Sequence, residues 1–435
     1  MIFDGAVIGI LFFAAFAWGS NEPWAMAFIA LAAITVLAVR IVWDCWHGAV
    51  RLVSARIFVP PLLFLALVGW QRLRPASALR ADVRPPFTLE PYSTGLYALL
   101  AIAYVSLALL VANGFRSREN VRRLVFSLLA LGIFEALYGL FQYLGNYNYV
   151  WDFPVSGTIA RGTLIDRNHY ALLLNIAICT GVGYLYYRSV RLLKGQSLSM
   201  RAIVGAPGSA QLVWLLLWLA IMGLAVVFSM SRMGIAALLG CLGLMVMFGK
   251  AAERGKRVSM ILLTLFFLIL GLAIYTGVDA VLARYEAMTQ PGYFEKDRIP
   301  LWERTWEMVH GHTIFGLGLG TFQWAFPAFE DNEPDTPARY AHNDYLQALA
   351  EVGWVGLLLV AIAFVAAWRS ALLNLMRSSD PLVRGIGLAT IGTLSAVTLQ
   401  EITDFCLYIP GVAVPVAVAL GLNFRASALR HQSSA

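Results

Sequence analysis

Apolar runs of about 17–22 residues recur along this chain, separated by short polar connections. Each run is long enough to cross a hydrocarbon core of roughly 30 Å, so the pattern predicts an all-α polytopic membrane protein. A barrel would need short alternating strands instead. Twelve spans can be drawn, at 3–19, 24–42, 57–71, 93–113, 123–145, 168–187, 212–229, 233–249, 259–278, 351–368, 384–399 and 408–424. The expected organisation is 1–278 as transmembrane helices 1–9 and 279–350 as a large polar loop. Residues 351–435 then supply helices 10–12 and a tail. The loop is the one long hydrophilic interval, and most residues able to do chemistry lie in it.

Composition sharpens this reading. The 435 residues are 60% apolar and 13% charged, far from a soluble average. The net charge of +7 invites a nucleic-acid partner, but the basic residues form short clusters in every second connection instead of one stripe. They run Arg40/Arg51/Arg56, Arg116/Arg118/Arg122/Arg123, Arg188/Arg191/Lys194/Arg201, Lys250/Arg254/Lys256/Arg257, Arg369/Arg377/Arg384 and Arg425/Arg430. Positive-inside alternation then sets both termini in the cytoplasm and turns the large loop outward. Cys45, Cys179, Cys241 and Cys406 share no short spacing, which indicates neither a metal site nor a disulfide framework.

Several residues carry candidate chemistry. His342 stands at the mouth of the tenth span, where imidazole can accept a proton near neutrality, or simply sit at the interface bonded to its loop. A local helix would set Leu346 on its face. Arg298 and Arg304 flank Trp302 in a segment where Pro300 opens a short helix, with Trp302 and Trp306 on one face. These arginines either snorkel at an interface or recognise phosphate through the guanidinium fork. Arg232 lies in the tight turn Ser229-Met230-Ser231-Arg232, on the side where a basic residue is disfavoured, and so calls for a carboxylate, carbonyls or an anionic ligand. Gly316-Leu317-Gly318-Leu319-Gly320 predicts a close turn back onto the membrane body, not a nucleotide loop. Asp166-Arg167-Asn168-His169 either caps the sixth span or meets substrate. Glu135 and Gln142 share a face and are expected to line an outward cavity, with Glu401 and Asp404 at the outer end of span eleven.

These residues match a known pattern. His342-Asn343, nine residues, then Gly353-Trp354-Val355-Gly356 resembles the O-antigen ligase and polymerase family signature. Arg298-x-x-x-Trp302, Ser231-Arg232-Met233-Gly234, Gly162 to His169 and Asp404-Phe405 to Pro410 resemble further elements of that family. The resemblance extends from about residue 135 to 420 and implies about twelve helices with a large periplasmic loop between helices 9 and 10. It implies a metal-independent glycosyltransferase without a cofactor, in the bacterial inner membrane, taking its donor glycan from undecaprenyl diphosphate. The acceptor would be lipid A–core oligosaccharide in a ligase or a growing glycan in a polymerase, with membrane lipids and no nucleic acid as other partners. By position, His342 would activate the acceptor hydroxyl, and Arg232 and Arg298 would hold the diphosphate. Arg304, Asn343, Asn168, Asp404 and Trp302 would contact substrate. A polysaccharide or lipid transporter is the reading from another class, disfavoured because ionisable residues are nearly absent within the spans.

Overall fold

A computed structural model describes residues 2–48, 53, 55–76, 87–192, 208–253, 257–277, 283, 286, 298–310, 314–330 and 338–432. Asp279, Asp297, Arg51, Lys194, Arg201, Arg254 and Lys256 lie outside the described residues. Helices stand at all twelve expected places: α1 (Ile2–Phe16), α2 (Pro23–Trp46), α3 (Val59–Arg72), α4 (Pro91–Gly114), α5 (Arg118–Leu144), α6 (Arg167–Leu192), α7 (Ser209–Phe228), α8 (Arg232–Glu253), α9 (Arg257–Thr276), α12 (Asp344–Arg377), α13 (Pro381–Gln400) and α14 (Pro410–Gln432). Ten are long and apolar enough to cross a membrane, while α1 and α3 have 15 and 14 residues. The chain is an all-α, multi-pass membrane protein. Two short helices, α10 (Ile299–His310) and α11 (Phe322–Ala325), belong to the polar loop.

α6 is the central pillar, buried along its whole apolar window. It packs most extensively on α13, which also leans on α8, while α14 packs on α4 and α12 on α13. Gly183 and Gly385 let α6 and α13 touch: a Cβ at Gly183 would stand 2.3 Å from the Gly385 carbonyl oxygen. Such small-residue contacts hold helices together where lipid offers no hydrophobic drive between them.

Glu135 and Gln142 do share a face of α5, but the expected polar cavity lining is not what they form. Both are buried. Glu135 accepts from the Thr163 amide at 2.8 Å and its hydroxyl at 2.6 Å, and Gln142 donates to the carbonyls of Tyr149 and Gly162. They clamp the segment entering α6, because its buried backbone needs partners that no helix supplies.

The tenth span also departs from expectation. α12 begins at Asp344, seven residues before the expected 351, since the Asn343 side chain caps it by accepting from the Leu346 amide at 3.0 Å. It then breaks at Gly353, where φ is +63° and ψ is −172°. The freed carbonyls find the glycine turn: Leu317 N donates to Ala350 O at 2.9 Å, and Gly318 N to Glu351 O at 2.8 Å. Val355 N donates to Ile314 O, and the Gln71 amide to Phe315 O and Glu351 O. Gly316, Gly318 and Gly320 all have positive φ, and a Cβ at Gly316 would lie 2.3 Å from the Glu351 carbonyl carbon. The close turn expected from these glycines is what forms. A second apolar cluster, with Phe87, Met308, Phe322, Phe326 and Leu349, seats the loop on this end of the bundle.

Glu351, fully buried, closes the junction. It accepts from Gly320 N at 2.7 Å, Phe322 N at 3.1 Å, the Tyr408 hydroxyl at 2.7 Å and the Gln347 amide at 3.3 Å. Each buried donor left without a partner costs about 1–3 kcal/mol. Glu351→Ala should therefore lower the thermal midpoint of the detergent-purified protein well below that of Glu351→Gln, which keeps one acceptor oxygen. Equal midpoints for the parent and Glu351→Ala would show that the carboxylate supports nothing.

Candidate functional site

The site is built at the end of the bundle where the loop docks. Its fixed point is Asp404, 1% exposed, in the turn between α13 and α14. Two imidazoles converge on the same Asp404 Oδ1: His342 Nδ1 at 3.8 Å and His169 Nε2 at 3.9 Å. Both separations are within ion-pair reach and beyond hydrogen-bond length. Arg298 donates to the carbonyl of Thr403, the preceding residue. Burial disfavours the charged form of Asp404, but His342, His169 and Arg298 outweigh it and hold the carboxyl below the usual carboxylate range.

The neighbouring carboxyl behaves in the opposite way. Burial, the Asp344 charge and the hydrogen bond with Asp344 push Glu401 well above the usual range. Glu401 accepts from Cys406 N at 2.9 Å, and its carbonyl accepts from Asp344 N at 3.1 Å. One carboxyl is therefore shifted down and the other up within four residues of chain.

His342 is held by its flanks. The Ala341 amide donates to Gln347 Oε1 at 2.9 Å, and the Ala341 carbonyl accepts from Trp302 Nε1 at 3.0 Å. On the other side Asn343 is committed to its cap. Between these clamps His342 has a φ of +49°, the left-handed region that costs a side-chain-bearing residue about 1–2 kcal/mol. His342 thus precedes α12 and does not share a helical face with Leu346, as a local helix would have it. Phe405 completes the positioning. Its ring stacks on Tyr340 at 4.0 Å and meets His169 and His342 edge-on, each at 4.8 Å. The His342 side chain remains 37% exposed, so its Nε2 side stays reachable.

The other expected residues divide into two groups. Asn168 joins the cluster: its Oδ1 accepts from Ser231 at 2.7 Å, and its carbonyl accepts from Gln400. Ser231 also accepts from Gly234 N, capping α8, so half-buried Arg232 is anchored one residue from this chain of bonds. Trp302 bonds the loop and so positions His342. Trp306 does not share its surroundings: it is exposed and packs on His310. Arg304 engages Glu307 at 3.0 Å on the exposed side of α10. Asn343 caps α12.

Sequence reasoning missed Glu351, Gln347, Tyr408, Phe405 and the inward role of His169. Glu351 had a legible signal, an acidic residue at the edge of an apolar run. His169 and Asp404 lie 235 positions apart, and no spacing rule connects them.

An apolar cavity of about 640 Å³ opens beside the site. Asp344, Glu401 and Tyr408 stand in its wall, with Phe64, Tyr104 and Phe364 along its length. A second cavity of about 250 Å³ shares Phe64, Tyr104, Phe364 and Leu407 and continues to Phe58 and Phe424. The arrangement thus combines a base-competent imidazole, a charged carboxylate behind it, a guanidinium beside them and an oily channel.

The O-antigen ligase family model matches residues 216–361. That stretch contains Arg232, Arg298, Trp302, His342, Asn343, Gly353 and Gly356, and it ends before Asp404. No curated protein matches the chain. Residues 216–361, the segment that brings His342 and Arg298 to Asp404, are thus similar to the O-antigen ligase family.

Proposed function

We propose that the chain is a glycosyltransferase that moves a preassembled glycan from undecaprenyl diphosphate to a hydroxyl of lipid A–core oligosaccharide, at the periplasmic face of the inner membrane. The observation that carries this reading is His342 backed by Asp404, with Arg298 alongside and an apolar cavity adjoining. With Nδ1 turned to Asp404, the other ring nitrogen is left to take the acceptor proton, and the carboxylate favours the imidazolium that results. The acceptor oxygen then bonds to C1 of the donor sugar as the C1–O bond to the diphosphate breaks. The leaving diphosphate gathers charge. Arg298 and Arg232 stabilise it at a water-poor rim, where such interactions exceed their value in bulk water. A prenyl chain suits the adjoining cavity, whose walls are almost wholly apolar.

His342 and Arg298 then predict different kinetics. His342→Ala should lower single-turnover rate by about 10²–10⁴-fold with donor affinity nearly intact, since a general base acts as the reaction proceeds. Arg298→Ala should weaken donor binding as well, because the diphosphate is charged already in the ground state. Arg298→Lys should recover only part of this, lacking the two-pronged fork. A His342→Ala variant that turns over like the parent removes the base assignment.

Ligation and polymerisation are distinguished by the lipid-linked pool in cells lacking this protein. We expect long chains to accumulate on undecaprenyl diphosphate, as they do when only the final transfer is blocked. Accumulation of single repeat units would assign polymerisation instead.

A further inference from the structure

Behind His342 lies a donor set of which the transfer reaction uses only Asp404. His169, Asp404 and Cys406 are all buried, and their ligand atoms lie within 4.8 Å of one another. They come from two separate segments, the start of α6 and the turn before α14. His169 is 5% exposed, and its Nε2, aimed at Asp404, has no hydrogen-bond partner. His342 Nδ1, 3.8 Å from the same Asp404 Oδ1, is likewise buried without one. Buried polar atoms rarely go without a hydrogen bond, and these two imidazole nitrogens face one carboxylate oxygen at 3.8 and 3.9 Å, a spacing that leaves room for an ion.

The chemistry of the donors narrows that partner. Imidazole, carboxylate and thiolate together suit a borderline-soft divalent ion of the zinc class, and not magnesium or calcium, which take oxygen. Tetrahedral coordination with bonds of 2.0–2.3 Å separates ligand atoms by about 3.3–3.8 Å. The cluster reaches this by side-chain contraction of roughly an ångström from its widest separation. On binding, the Cys406 thiol gives its proton to solvent and becomes the thiolate ligand. The partly exposed side of His342 offers a way in.

We propose that His169, Asp404 and Cys406 form a binding site for a zinc-class divalent cation, and that the bound ion switches transfer off by taking Asp404 from His342. With Asp404 drawn to the ion, His342 Nδ1 loses the carboxylate that orients it, while the protein stays folded. Binding stands independently of the transferase reading; the switching rests on it.

The test uses the whole purified protein, stripped with EDTA and titrated with zinc by calorimetry and with cobalt by absorbance. One zinc per chain should bind, and cobalt should give a thiolate-to-metal charge-transfer band. Cys406→Ser should abolish that band, and both Cys406→Ser and His169→Asn should weaken zinc binding by more than about tenfold. His310→Asn, on the exposed surface of α10, should bind as the parent does. Transfer should proceed in EDTA, stop on stoichiometric zinc, and resist zinc in Cys406→Ser, whose metal-free rate should equal the parent's. Zinc affinity unchanged in both variants would overturn the site. Binding without inhibition would overturn the switch alone. Absence of transfer under every condition would count against the transferase reading, leaving the binding result intact.

Discussion

The buried carboxylate of Glu351 is the interaction on which the rest of this end of the molecule depends. A membrane bundle tolerates non-helical backbone only where protein groups satisfy it. Here three irregular pieces meet at once: the glycine turn, the break of α12 at Gly353, and the turn carrying Asp404 to Tyr408. Glu351 binds the first through Gly320 and Phe322, and the third through the Tyr408 hydroxyl. Through Gln347 it also reaches the Ala341 amide, beside His342. One side chain therefore sets the distance between the loop that supplies His342 and the turn that supplies Asp404.

That constraint explains why the site can hold a left-handed histidine. The backbone at His342 is unfavourable alone, and it is kept because Gln347, Trp302 and the Asn343 cap fix both neighbours. The result directs Nδ1 inward to Asp404 and leaves the other nitrogen outward. Electrostatics completes the division of labour. Cationic and imidazole groups hold the Asp404 carboxyl low, whereas burial and other carboxyls push Glu401 up. Two buried acidic residues in one turn thus shift in opposite directions because their charged neighbours differ.

Much of the fold was legible because hydrophobic length is a strong signal in membranes. All twelve helices fall where apolar runs predict them, and the glycine turn was readable from Gly316 to Gly320. The failures have physical causes. Asn343 lengthened α12 because a cap outweighs the polar residues after it. Glu135 and Gln142 had the right face and the wrong role, because periodicity gives direction and cannot say whether solvent or backbone lies there. Asn343 and Gly353 of the His342 motif form a cap and a helix break, which fixes their spacing after His342. Asp404 could be suspected from sequence, but its convergence with His342 and His169 depends on α6, α12 and α13 meeting, which no local pattern encodes.

The central claim is that Asp404 acts through His342. The most direct measurement is a double-mutant cycle on single-turnover transfer by the purified protein, comparing the parent, Asp404→Asn, His342→Ala and the pair. The account predicts that Asp404→Asn slows the parent strongly and has little further effect once His342 is absent. Losses that multiply in the double variant would contradict it, since the two residues would then contribute independently.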